Sequence, residues 1–149
     1  MKSIFSQDAY SEIKQRIEQV NAHQTPKWGK MNAAQMMHHC QKPIEIALQK
    51  TTVKKPNIFM RLLIKSFKST LYNDKPWKQN LPTAKEFIVS EQKDFDKEKN
   101  SLVLLIDELK AKGEQHNWPK HPIFGTFTSQ QWGQMQYKHL DHHLKQFNS

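Results

Sequence analysis

Residues 128–147 read TSQQWGQMQYKHLDHHLKQF, and this stretch predicts the last helix of the chain. Thr128 is placed to cap it, and Gln131 three residues on can return a bond to the cap. Phe127 and Trp132 flank the start as an apolar clasp. Together these make a capping box with a hydrophobic staple. Residues four apart share one face of a helix, so His139 and His143 point the same way and can share one ion. His142 falls to the other side of His139 by about 60°, from the helical repeat of about 100° per residue. Trp132, Leu140 and Phe147 mark the face that packs on the core, which puts the histidines at its border. Helical bundles build metal sites at such borders, from side chains on facing helices.

A partner for that face lies in residues 32–49. Asn32 and Gln35 repeat the capping-box pattern, and Met31 can clasp Met36. Met36, Cys40, Ile44 and Ala47 form the buried stripe of this second helix. His39 borders the stripe beside Ile46, whereas His38 points nearly away from it. Pro43 sits inside the helix and removes the bond that would reach the carbonyl of His39. The resulting kink reads either as a tolerated defect or as a device that orients His39.

The rest of the chain reads as helices joined by Pro-marked connections. A first helix spans residues 6–20, capped by Ser6 and striped with Tyr10, Ile13, Ile17 and Val20. Residues 57–71 form a strongly apolar third helix with interleaved Lys and Arg. It reads as a membrane-surface helix or, preferred here, as a bundle helix with a broad buried face that can include a dimer contact. Residues 73–83 are a polar connection in which Trp77 pins the loop to the core or lines a pocket. A short helical or extended piece at 85–89 precedes a fourth helix at 90–112, with Phe95, Lys99, Leu102, Ile106 and Leu109 as its seam and Gly113 as its stop.

At 149 residues the prior is one domain, 1–149, with a real core. No run of apolar residues is long enough to span a membrane, and the N-terminus lacks the apolar segment of a signal peptide. The one cysteine cannot form an internal disulfide, so a cytoplasmic location is expected. The net charge of +9 permits anionic partners, but it comes from Lys spread along the chain. Arg, the residue of bidentate phosphate and base contacts, occurs only at Arg16 and Arg61. No nucleic-acid and no membrane partner is expected. A small-molecule substrate, a thiol or an acidic compound, is.

His39, His139 and His143 would make a tri-histidine site for a divalent metal. Neutral imidazole suits zinc, nickel or iron, and three protein ligands leave a position open for water or substrate, as in catalytic zinc sites. The motif HxxxH lacks the glutamate of HExxH, which excludes a zinc-protease reading. A His-rich helix also reads as surface and packing alone. His142 is a ligand or a group that holds another histidine, and Gln146 can serve the same purpose. His121 either reaches the mouth of the site or fixes its loop by a hydrogen bond. Cys40 reads as a small buried hydrophobe. No carboxylate stands out as a general base, because Asp141 and Glu45 point to the outer sides of their helices.

WGKMNAAQMMHHCQKPIEIAL, beginning at Trp28, resembles the second-helix segment of the DinB-like superfamily of metal-binding four-helix bundles. NLPTAKEF and HPIFGTFTSQQWGQMQYKHLDHHLKQF are similar to a bacterial subgroup of it without an assigned function. The resemblance spans nearly the whole chain. It implies an all-α four-helix bundle with an additional short helix or crossover connection, often a homodimer. One histidine from the second helix and an HxxxH pair from the last would bind a divalent metal, with zinc or nickel first. Carried onto this chain, those are His39, His139 and His143. Relatives transfer or isomerise low-molecular-weight thiol conjugates, and others are described as metal-dependent hydrolases. The ending here is HHLKQ, with Leu144 and Lys145, where HHRGQ is commoner. The expected function is therefore a metal-dependent thiol transferase or hydrolase. The alternative is a non-catalytic binding or stress-response module.

Overall fold

The computed structural model describes residues 1–54, 57, 64, 66–81, 83 and 85–149. Among these the chain is all-α, as expected. Four α-helices are bounded among the described residues, α1 (Gln7–Gln19), α2 (Ala33–Ala47), α3 (Phe95–Lys112) and α4 (Ser129–Gln146), with short 3-10 turns at Lys68–Leu71 and Lys85–Phe87. No strand forms among the described residues, and one isolated bridge joins His121 and Gly125.

Local chemistry sets where each helix begins. Ser6 caps α1 by accepting from the Ala9 N–H. Asn32 with Gln35 and Thr128 with Gln131 form complete capping boxes on α2 and α4. A side-chain cap of this kind contributes about 1 kcal/mol. The expected staple is present too, with the Phe127 and Trp132 rings 5.3 Å apart. The helix expected at 90–112, here α3, begins later than residue 90. Asp94 caps it by accepting from the Lys97 N–H at 2.8 Å, and Asp96 and Glu98 follow in its first turn. An aspartate cap backed by acidic residues at the positive end of the helix favours a start at this point. Most of the expected third helix, 57–71, lies outside the described residues. Its described end is helical at Ile64, Ser66 and Phe67 and tightens into the 3-10 turn.

The stripes read from the sequence converge on one core. Ile13 and Ile17 of α1, Met36, Cys40 and Ile44 of α2, Leu102, Ile106 and Leu109 of α3, and Trp132 and Leu140 of α4 are all essentially buried. The most extensive helix contact is α2 on α3, and both α1 and α2 pack on α4. Polar ties then set the register of α4. Fully buried Gln136 donates to the Pro43 carbonyl at 2.9 Å, which sets the turn carrying His139 opposite the turn carrying His39. On the α1 side, Arg16 holds Asp141 at 2.8 Å, and the Tyr137 hydroxyl donates to Glu12 at 3.0 Å. Asp141 thus faces α1 rather than the outer side. No helix among the described residues is long and apolar enough to cross a membrane.

Gly133 lets the N-terminal segment lie against α4. Its carbonyl accepts from the Ile4 N–H at 3.1 Å, and a Cβ there would stand 2.2 Å from Ser3 Oγ and 2.6 Å from the Phe5 ring. Gly133→Ala should therefore destabilise the fold by about 1–3 kcal/mol through overpacking, despite the better helix propensity of alanine. Urea unfolding monitored by circular dichroism measures this. An unchanged or raised midpoint would show that residues 3–5 do not depend on that contact.

Candidate metal centre

The packing of α2 on α4 brings His39, His139 and His143 together. Each offers a ring nitrogen, and these atoms lie within 4.8 Å of one another. The three side chains are 5%, 9% and 9% exposed, so the cluster sits under the surface rather than on it. Its ring centroids are 4.7–5.1 Å apart.

Hydrogen bonds assign the tautomers. His39 Nδ1 lies 2.9 Å from the Phe87 carbonyl. A carbonyl can only accept, so Nδ1 carries the proton and Nε2 presents a lone pair. His143 Nδ1 lies 2.9 Å from Gln146 Oε1. The amide orientation of Gln146 follows from its nitrogen, which donates to the Trp28 carbonyl at 2.6 Å. His143 Nδ1 is therefore the donor, and its Nε2 is the free lone pair. His139 Nε2 stands 3.2 Å from His39 Nε2, while its Nδ1 is buried without a partner.

This donor set fits a divalent ion. Two nitrogens bound to one tetrahedral zinc at about 2.1 Å stand about 3.4 Å apart, close to the spacing of His39 and His139. Metal ligation also needs unprotonated imidazoles. Burial pushes the pKa of His39 down, drives that of His139 well below the usual value, and takes His143 down to about 3, with neighbouring histidines adding to the shift of all three. An imidazole whose other nitrogen is held by a carbonyl or amide is the common arrangement around bound metals. His39 and His143 both have it.

Loops close over the cluster. Gly29 adopts φ +82°, and a Cβ there would lie 2.6 Å from the Gln146 amide nitrogen. Glycine is thus needed for the 26–31 loop to reach Gln146. Trp77 packs on His139 and His142, at 5.9 and 5.6 Å between ring centroids, and its indole N–H donates to the Thr70 carbonyl at 2.8 Å. It both pins its loop and lines a cavity. The buried Lys138 ammonium holds the same loop through the carbonyls of Thr70 and Asn73 and the Asn73 side chain. His142 is half-buried between Trp77 and Trp28 and touches His143 at 5.1 Å.

His121 belongs elsewhere. Its ring packs on Phe124, Phe127 and Trp132 and on none of the three clustered histidines. Its Nδ1 accepts from the Ile123 and Phe124 N–H groups at 3.1 and 3.3 Å. This is the loop-fixing role, at the start of α4. Sequence reasoning missed three parts of the surroundings. The Phe87 carbonyl is a backbone group and leaves no side-chain signal. Trp28 sits in a connection marked by Pro26 and Gly29, with no periodicity to orient it. His38, expected to point away from the stripe, meets Glu98 of α3 at 2.9 Å, and Glu98 also accepts from Gln41. The apolar seam of α3 did not reveal that Glu98 is buried.

The model of a protein family described as a protein of unknown function (DUF1569) matches residues 5–149. The chain belongs to the DUF1569 family. No curated protein and no solved structure matches it. The DUF1569 span contains the three clustered histidines, Gln146 and both indoles that flank His142.

His121 gives a pH prediction. Burial, helped by the Lys68 charge, lowers its pKa from 6.5 to about 4, so the unfolded chain binds its proton first. Its contribution is complete above pH 6.5 and is lost as pH falls toward 4, a change of about 3 kcal/mol. His121→Asn keeps an acceptor for the loop and removes the titration. Its unfolding free energy should fall less than that of the parent between pH 6.5 and 4. Equal slopes in the two proteins would show that His121 charges without cost.

Proposed function

We propose that this chain is a divalent-metal-binding protein of the DinB-like four-helix-bundle type, with His39, His139 and His143 as ligands. On this reading it is a metal-dependent transferase acting on low-molecular-weight thiol conjugates, or a hydrolase. The observation that carries the proposal is the meeting of three uncharged imidazoles from two helices, with their ligand atoms within 4.8 Å. Zinc or nickel suits this donor set.

The chain's own groups hold the site ready. The Phe87 carbonyl and the Gln146 amide fix two rings so that Nε2 faces the common centre. Burial keeps all three rings neutral, hence able to donate lone pairs. Trp77 covers His139 and limits water on that side. The bound ion would supply Lewis acidity, which lowers the pKa of a water or thiol at its open position. The nearest carboxylate on α4, Asp141, is paired with Arg16 and Lys145 and held below the usual carboxylate range. Burial alone would raise it, and the two cations outweigh that. It stays ionised and paired, which leaves activation of a nucleophile as the chemistry open to this site.

Elemental analysis of protein purified without a polyhistidine tag tests the proposal. The parent should carry stoichiometric divalent metal, and His39→Ala and His143→Ala should each lose it while remaining folded. Gln146→Leu frees the His143 ring and should weaken metal affinity by about 10–100-fold. A parent that carries no metal, and takes up neither zinc nor nickel in titration, would leave the chain a non-catalytic binding module.

A further inference from the structure

A second cavity-forming cluster stands beside the histidines, on the far side of His142. Trp28, Trp77 and His142 line a cavity of about 180 Å³, together with Lys138, Asp141 and Lys145. Both indoles touch the His142 ring, at 5.7 and 5.6 Å between centroids. Trp77 also touches His139, and His142 touches His143. The cavity therefore abuts the three-histidine centre through two of its own walls.

The charged groups around this space already have partners. The Lys138 ammonium donates to three oxygens, those of Thr70 and Asn73 and the Asn73 side chain. Lys145 pairs with Asp141 at 2.8 Å, and Asp141 also takes Arg16 at 2.8 Å. Each of these charged groups thus already has at least one partner of its own. Pro76 and Gln79 complete the lining, and what distinguishes it is three aromatic rings, of which Trp77 also carries the Lys138 ammonium 5.7 Å from its centroid. An enclosed apolar cavity of about 150 Å³ accepts a benzene molecule, so this space is large enough for one six-membered ring. Aromatic pairs gain energy from offset or edge-to-face geometry beyond what area alone gives, and walls tilted at about 60° to one another permit both.

We infer that Trp28, Trp77 and His142 form a subsite for a planar aromatic ring, carried by the small-molecule substrate of the adjoining histidine centre. This names a substrate class for the proposed function and rests on it for the word substrate. The ring-binding property rests on the cavity alone. The substrate then carries its reacting group close to the ring, because Trp77 and His142 of the cavity wall touch His139 and His143 of the centre.

Benzyl mercaptan and cyclohexylmethyl mercaptan serve as probes, since they match in thiol and chain length and differ in planarity. Each is titrated into the full-length protein, as purified and after chelation, with indole fluorescence as the readout and metal content measured on the same samples. The planar probe should saturate and bind about tenfold tighter than the non-planar one, a preference within the range of aromatic pairing. Trp28→Ala and Trp77→Ala should each abolish the preference, and Trp77→Phe should restore much of it. Trp28 lies in a different loop from Trp77, so one variant that fails to fold leaves the other to decide. Equal binding of the two probes, or a preference that survives both alanine variants, overturns the subsite whether or not metal is present. A preference retained in metal-free protein that cannot be loaded upholds the subsite and overturns the metal proposal. Metal without a preference does the reverse.

Discussion

Two uncharged imidazole rings, one on α2 and one on α4, face each other nitrogen to nitrogen across 3.2 Å in the interior. That contact tolerates little. If both rings were protonated they would repel at short range in a poorly solvated place, so burial has to keep them neutral. If the helices slid by a turn, the nitrogens would no longer meet. Much of the surrounding structure meets these two demands. The Gln136 bond to Pro43 sets the slide, the Phe87 carbonyl sets the ring of His39, and the apolar stripes of α2 and α4 exclude water around them.

The arrangement explains why polar side chains are buried on α4 at all. Gln136, Lys138, His139, His143 and Gln146 are all buried on one helix. A buried polar group without a partner costs more than it contributes, so each needs a specific acceptor or donor. Three find one on the backbone of another element: Gln136 at Pro43 inside α2, and Lys138 and Gln146 in connecting segments at Thr70, Asn73 and Trp28. The loops are thereby tied to the helix by polar contacts as well as by the indoles of Trp28 and Trp77. Two atoms are the exceptions, Gln136 Oε1 and His139 Nδ1, and the second belongs to a ring of the cluster.

Much of this was legible in the sequence, for physical reasons. A capping box is local, so Asn32–Gln35 and Thr128–Gln131 located two helix starts within a residue. Helical periodicity then assigned faces, and it selected His39 over His38 and paired His139 with His143. Where no cap was read the boundary slipped: the helix expected from residue 90 starts after Asp94, whose side chain caps it. Contacts made by backbone carbonyls stayed invisible because any residue supplies one. Loop residues such as Trp28 and His121 carried no period to aim them, so one was passed over and the other was left between two roles, of which the structure shows the loop-fixing one. The burial of Glu98 depends on His38 and Gln41 arriving from another helix, which no local pattern encodes.

His38 and His39 are neighbours in sequence, yet they are gripped in different directions, one by a carboxylate on α3 and the other by a carbonyl in the segment before it. Successive residues on a helix project about 100° apart. Any roll of α2 about its own axis that relaxed one grip would strain the other. The helix is thus clamped against rotation by two adjacent rings, and the angle at which His39 enters the cluster is fixed before anything binds there.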